Sequence, residues 1–268
     1  MPTDSRPDLK SALAIVIVHY RCPGVLRQCL ASLPDCRLVV VDNSGDAGVA
    51  GAIVNETNRG FAAACNQGIR ATTEPFVLLL NPDTTVSRAA LDKLLAVMSD
   101  DRVGACGPRI RNADGSAQTS VRRFPTLGRM VLAEFGLRGA YYVNNPGHDV
   151  DQLMGSCLLL RRSALDQVGL LDERFFVYFE EVDLCLRLKQ AGWRVVFVPE
   201  AEITHVGGQS SQSDRTASLR YRYRSLFEFY RKHYPPWQLP VLKFAVQLAA
   251  LLRCQPSYRT IAREVWSL

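Results

Sequence analysis

The sequence predicts an α/β protein with a mostly parallel central sheet flanked by helices, and three stretches carry that prediction. Residues 14–20 (AIVIVHY), 37–41 (RLVVV) and 75–80 (PFVLLL) are continuous apolar runs of strand length. They do not alternate polar with apolar, so each reads as a strand covered on both faces, as parallel sheets require. Helical spacing recurs between them, and strand–helix alternation marks α/β architecture.

The elements follow in order. The first twelve residues are polar and proline-containing and read as a disordered tail. They hold no apolar segment of signal-peptide type, which points to a cytoplasmic protein. After the first strand Pro23-Gly24 breaks the run, and Val25, Leu26, Cys29, Leu30 and Leu33 recur at helical spacing up to Pro34. The second strand ends in Asp42-Asn43-Ser44-Gly45, a turn-forming cluster. A short strand is expected over 52–54, and Asn58-Arg59-Gly60 leads into a helix over 61–70. The third strand ends in Asn81-Pro82-Asp83-Thr84. Ser87 is placed to cap a helix with Leu91, Leu94, Leu95 and Met98 on one face. Another strand is expected over 103–106.

Residues 107–152 are rich in Gly, Asn, Arg and aromatics and weakly periodic, so they read as a loop-dominated insertion. Strand character returns over 154–160. A helix is expected from about 182 to 191, ended by Gly192, then a strand over 194–198 stopped by Pro199 and a basic helix over 216–233. The apolar segment 239–252 is interrupted by Lys243 and Gln247 and is short for a bilayer span. It reads either as a helix packed on the body or as one lying on a membrane face.

Composition narrows the partners. The 268 residues suffice for one large domain and carry a net charge of +6. Much of the excess lies late, in Arg215, Arg220, Arg222, Arg224, Arg231 and Lys232, in no pattern of a nucleic-acid module. An anionic membrane surface or a diphosphate-bearing ligand accounts for it instead. Eight cysteines occur without a C-x-x-C pair, some inside apolar runs, as are Cys157 and Cys185; reduced, buried thiols follow.

Four constellations can carry chemistry. Asp42 ends a buried strand, at the sheet edge where open α/β proteins bind ligands. It either closes an Asx-turn or accepts hydrogen bonds from a nucleobase imide or a ribose hydroxyl. Asp83 ends the next buried strand after a stiffening proline, and is either an ordinary turn residue or a hard oxygen ligand for Mg²⁺ or Mn²⁺. Glu180 and Glu181 open a helix after the aromatic run Phe175-Phe176-Val177-Tyr178-Phe179. The helix dipole favours acids there, and one of them is also placed to take a proton from a hydroxyl. His205 precedes Gly207-Gly208, so its loop can approach a ligand, and a neutral imidazole can bind metal. No phosphate-binding G-x-x-x-x-G-K-[ST], no G-x-G-x-x-G after the first strand and no G-x-S-x-G occurs.

In this order the residues resemble the family-2 glycosyltransferases, and among them the bacterial rhamnosyltransferase-like group. The matching text is VIVHY, VVVDNS, NRGFAAACNQGI, LLLNPDT, GSCLLLRR, LDERFFVYFEEVDLCLRLKQAGW and ITHVGG, spread over about 14–208. The resemblance implies a GT-A fold over 13–213 with a helical extension over 214–268. It also implies inverting transfer from a nucleotide-diphosphate sugar with Mg²⁺ or Mn²⁺. By position, Tyr20, Asp42, Asn58, Arg59, Gly60, Asn66, Asn81 and Asp83 resemble the nucleotide-binding set. Asn81 replaces the first acid of the family's D-x-D motif, which makes His205 a candidate co-ligand to Asp83. Glu181 falls where many members have the Asp of the catalytic pair and is expected as base, with Glu180 as the alternative. Gly155 and Asp183 fall among residues supporting the acceptor site, Asp183 by orienting its neighbours or capping the helix. The donor implied is dTDP-rhamnose, with UDP-sugars open. The acceptor implied is a glycan or a polyprenol-diphosphate-linked sugar in cell-envelope polysaccharide synthesis, at the inner face of the plasma membrane.

Two rivals stand beside this reading. A sugar nucleotidyltransferase needs a glycine-rich basic loop after the first strand, which His19-Tyr20-Arg21-Cys22-Pro23 does not supply. A non-catalytic nucleotide-sugar-binding protein would have lost its base and metal positions, and both Glu181 and Asp83 are present.

Overall fold

The computed structural model describes residues 9–144, 146–207, 214–253 and 255–268. Helix α1 (Leu9–Ala12) leads into strand β1 (Leu13–His19). The expected tail is therefore ordered from Leu9, whose side chain is buried; residues 1–8 lie outside the described part. All seven residues of β1 are buried, as its apolar run requires. There follow α2 (Pro23–Ser32), β2 (Arg37–Asp42), β3 (Ile53–Val54), α3 (Phe61–Arg70), β4 (Phe76–Leu80) and β5 (Thr84–Thr85). Next comes α4 (Arg88–Val97), whose cap is Ser87: its hydroxyl accepts from the Ala90 N–H at 3.2 Å.

Residues 107–152 are more regular than their composition suggests. Strand β6 (Val103–Arg111) continues five residues past the expected end and turns back as β7 (Ala117–Gln118). Then come β8 (Val121–Arg122), α5 (Leu127–Glu134), a 3-10 turn (Arg138–Ala140) and β9 (Gln152–Leu153), which pairs with β8. The α5 helix was hidden because only Met130 and Glu134 face inward, too few for a visible period.

Strand β10 (Cys157–Arg161) runs into a short helix α6 (Arg162–Val168), which the sequence reading did not anticipate. Helix α7 (Glu180–Gln190) precedes β11 (Arg194–His205). Pro199 does not stop β11: the register with β6 slips between Val198 and Glu202, and such an irregularity accommodates a residue without an N–H. Helices α8 (Arg215–His233), α9 (Gln238–Leu252) and α10 (Pro256–Glu264) complete the chain. Among the described residues no helix is long and apolar enough to cross a membrane.

The main sheet runs β3-β2-β1-β4-β10-β6-β11-β5. Its first half is parallel, and β10 is wedged antiparallel between β4 and β6. One face packs on α2 and α4 through residues such as Leu26, Leu91 and Leu94. The other packs on α3, α6 and α7 through Ile69, Leu165 and Leu184. Helix α3 sits unusually close to β1: a Cβ on Gly68 would lie 2.2 Å from a Val16 methyl. A third core joins α5 and α8–α10 to Phe175, Phe179 and Val182, so these helices pack directly on the segment that opens α7. Among the described residues no cysteine is in a disulfide, and four are raised in pKa by complete burial: Cys65, Cys106, Cys157 and Cys185.

Candidate active site

Strands β1, β2 and β4 deliver His19, Asp42 and Asn81 to the same end of the sheet, with His19 opposite Asp42 in register. Two strand spacings put the ends of β2 and β4 about 10 Å apart. Asp42 shapes its own loop. One oxygen accepts from the N–H groups of Ser44 and Gly45, both at 2.9 Å, and the other from Ala47 N–H at 2.8 Å. Burial pushes its pKa up, but these donors outweigh it and hold the carboxyl below its usual value. Buried His19 meets Asp46 at 2.9 Å, and His19, Asp42 and Asp46 bring their ligand atoms within 4.8 Å of one another. Tyr20 lies half-buried under the Arg21 guanidinium, where Arg21 takes a positive φ of 53° and its N–H donates to the Ser44 hydroxyl.

The Asn58–Gly60 segment is latched from two sides. Asn58 accepts from Gly60 N–H at 2.9 Å, and the Asn43 amide donates to the Gly60 carbonyl at 3.1 Å. Phe61 N–H donates to the Phe176 carbonyl at 2.6 Å. Gly60 has φ +85°, and a Cβ there would fall 2.5 Å from that carbonyl oxygen, so only glycine fits. Arg59 is exposed beside it. Asn43, Asn55 and Gln67 form an amide web under this loop, which the sequence reading did not single out. Asn66 does not join it. Its amide donates to Leu171 O and Glu173 and accepts from Leu171 N–H, which makes it a strut between α3 and the 171–173 segment.

Asp83 and His205 meet because β5 and β11 pair antiparallel, with His205 opposite Thr84. His205 Nε2 lies 3.2 Å from Asp83 Oδ1 and 3.5 Å from the Asn81 amide. Its Nδ1 lies 2.8 Å from Gln118 Oε1, and the Gln118 amide in turn donates to Asn112 at 3.0 Å. An amide oxygen only accepts, so Nδ1 donates to Gln118 and Nε2 is the ring atom that faces the carboxylate. Gln118 had no signal of its own in the sequence: it comes from the return strand of the 107–152 region. Gly208, the second glycine after His205, lies outside the described residues.

The acids open α7 under strain. Tyr178 and Phe179 both take left-handed φ, +67° and +70°, unfavourable for aromatic residues. They swing the first helical turn so that Glu180 and Glu181 point inward, where both are buried. Burial raises both pKa values; the Glu181 charge raises Glu180 further, whereas Arg122 pulls Glu181 back down. Arg122 lies 3.8 Å from Glu181, so of the pair Glu181 is the one equipped to be ionised first. Gly155 leaves room beside it: a Cβ there would touch the Glu181 side chain at 3.5 Å. The adjacent Ser156 carbonyl accepts from Asn81 N–H at 2.9 Å, which connects the Asp83 turn to the acids. Asp183 faces elsewhere. Fully buried, it binds Arg187 at 2.8 Å and Lys232 and His233 at 2.6 Å each, tying α7 to α8. Burial alone would raise its pKa; these three partners overcome that and lower it.

Among the described residues five buried side-chain atoms lack a hydrogen-bond partner: Arg122 Nε, Gln152 Oε1, Ser156 Oγ, Glu180 Oε2 and Glu181 Oε2. All five sit on β8, β9, the turn before β10, or the start of α7. Folded proteins pair such atoms, so five in one neighbourhood set this region apart.

A mixed sheet with helices on both faces and an antiparallel strand wedged into its parallel half is the architecture of a GT-A fold. Residues 12–227 match the family model described as "Glycosyltransferase like family 2", and the chain belongs to that family. It is 31% identical over 296 aligned residues to N-acetylglucosaminyl-diphospho-decaprenol L-rhamnosyltransferase of Mycobacterium tuberculosis, covering 96% of each chain. Rhamnosyltransferase WbbL of Escherichia coli is 26% identical over 166 residues, 60% of this chain and 63% of that one. Among solved structures, a mannosyltransferase from Pyrobaculum calidifontis in complex with GDP-Man and Mn²⁺ superposes with a TM-score of 0.60. That match has 17% identity and covers all of this chain and 84% of the other.

Proposed function

We propose that this protein transfers a sugar, in the first instance L-rhamnose from dTDP-rhamnose, to a hydroxyl of a lipid-linked glycan acceptor in cell-envelope polysaccharide synthesis. The support for a polyprenol-diphosphate-linked acceptor and a rhamnosyl donor is the full-length similarity to the mycobacterial decaprenol-linked enzyme. The observation that carries catalysis is Glu181: buried, one oxygen unpaired, its pKa raised by burial, and a guanidinium 3.8 Å from the other oxygen. A hydroxyl attacks an anomeric carbon poorly unless its proton is removed as the bond forms. Glu181 takes that proton, and Arg122 steadies the carboxylate in its charged form. The sugar is displaced from its diphosphate from the opposite face, with inversion.

The Asp42 loop and the latched Asn58–Gly60 turn receive the nucleoside. Asp42 keeps one lone pair on the oxygen bonded to Ala47, enough to accept a single base N–H, from thymine or uracil alike. Asp83 and His205 fit a divalent cation, Mg²⁺ or Mn²⁺, because a carboxylate oxygen and an imidazole nitrogen lie 3.2 Å apart with the ring oriented through Nδ1 by Gln118. Bound there, such an ion would offset the charge that develops on the diphosphate. The His19–Asp42–Asp46 cluster is the poorer candidate, since the Asp42 oxygens already serve backbone donors.

Incubation of the purified protein with dTDP-rhamnose, Mn²⁺ and a short-chain lipid-diphosphate N-acetylglucosamine acceptor tests this. Release of dTDP with a product heavier by one deoxyhexose is expected, and Glu181→Gln should lower kcat by about 10²- to 10⁴-fold with donor affinity retained. Pyrophosphate release, or full turnover by Glu181→Gln, would refute the reading.

A further inference from the structure

Helix α9 is apolar on both faces. Leu242, Val246 and Ala249 are buried against the third core. The opposite side presents Trp237, Val241, Phe244, Leu248, Leu251 and Leu252, spaced by three and four residues and each more than 40% exposed. The stripe does not end with the helix. Helix α5 packs on α9, and Leu132, Phe135 and Leu137, at its end and just beyond, are exposed as well. Single exposed apolar residues are ordinary; a continuous run of this length is a contact surface.

Charge identifies what it contacts. Residues 214–268 hold ten Lys and Arg against three acids, a net +7 in a chain whose total is +6. The rest of the protein is close to neutral by count, and within 214–268 Arg222, Lys232 and Arg253 pair with Glu134, Asp172 and Asp183, which leaves the exposed arginines around α9 as the relevant charge. Arg138, next to Leu137, and Arg259 and Arg263, on the helix packed against α9, are all exposed. A second copy docking through this face would bring two such charges together. An anionic lipid surface instead accepts the apolar side chains and neutralises the cations around them. Trp237 and Phe244 are the residue types that settle at a lipid–water boundary.

We infer that the α5–α9 face is a membrane-docking surface for anionic phospholipid, on which the protein lies without crossing it. The inference is independent of the transfer chemistry, although it suits an acceptor anchored in lipid.

Flotation with vesicles of phosphatidylcholine alone, and of phosphatidylcholine with a third phosphatidylglycerol, tests it. The wild-type protein should float with the anionic vesicles, less so in 0.5 M salt, and remain free of the neutral ones. The triple variant Trp237→Ser/Phe244→Ser/Leu251→Ser should bind at least about tenfold more weakly. It should also keep its circular dichroism spectrum and its turnover of a short-chain, micelle-free acceptor. No flotation of the wild type on anionic vesicles, or equal binding by the folded variant, would overturn the inference. So would a wild-type dimer in solution that the triple variant converts to monomer, since the face would then belong to a second copy. Loss of turnover with intact flotation would count against the transfer reading alone.

Discussion

Glu180→Gln should stabilise the protein, and by an amount that depends on pH. Glu180 is 4% exposed, one of its oxygens has no partner, and burial together with the neighbouring Glu181 charge raises its pKa well above the carboxyl norm. The folded protein therefore holds this proton more tightly than the unfolded chain does. Below the ordinary carboxyl pKa both states are protonated and the substitution changes little. As pH rises through that range the unfolded chain releases the proton while the folded protein retains it, so stability falls. The fall ends only once the folded carboxyl ionises too. A neutral amide of the same shape removes that penalty. An unsatisfied buried polar group costs about 1–3 kcal/mol, and more when charged. For a domain of this size the melting temperature at pH 8 should rise by about 3–8 °C. At pH 4.5 the gain should be small. Melts followed by circular dichroism at the two pH values, for wild type and variant, supply the measurement. A gain equal at both values, or a melting temperature lower than wild type at pH 8, would show that the Glu180 carboxylate is compensated in the fold and that the reasoning about its burial is wrong.

Other expectations follow from the same geometry. Asp83→Ala should abolish the effect of Mn²⁺ on donor affinity in calorimetry, and identical metal dependence in wild type and variant would remove Asp83 from the ion site. Gln118→Ala frees the His205 ring and should weaken Mn²⁺ binding by about 10- to 100-fold while leaving the melting temperature nearly unchanged. Gly60→Ala forces a Cβ to within 2.5 Å of the Phe176 carbonyl at φ +85° and should destabilise the fold by more than about 1 kcal/mol, readable in urea unfolding. Transfer by wild type should rise with pH through an inflection above the ordinary carboxyl range, since burial raises the Glu181 pKa, and an inflection at or below that range would contradict its role as base.

What the sequence disclosed was set by how local the signal is. Strands such as β1 and β4 declare themselves because every residue is apolar, and the Ser87 cap because its hydroxyl acts three residues away. The Asp83–His205 meeting joins residues 122 positions apart through the β5–β11 ladder, and resemblance to a family suggested it where spacing alone did not. Gln118 and Arg122 gave no sign, because their partners lie 87 and 59 residues downstream and nothing around them is periodic. Asn66 and Asp183 are polar and sit in motif text, and their side chains tie elements of the scaffold together, which for Asp183 accords with an orienting role. Pro199 misled because a breaker in sequence is tolerated where two strands already lose register.

The triple grip on Asp183 has a practical consequence for anyone trimming the protein. Two of its three partners, Lys232 and His233, come from the far end of α8. A shortened chain ending before Arg215 would strip a fully enclosed negative charge of most of its compensation, two residues from Glu181. The catalytic sheet and the trailing helices are thus not a domain and an appendage that can be cloned apart. Their join is electrostatic, and it runs through the turn that carries the acids.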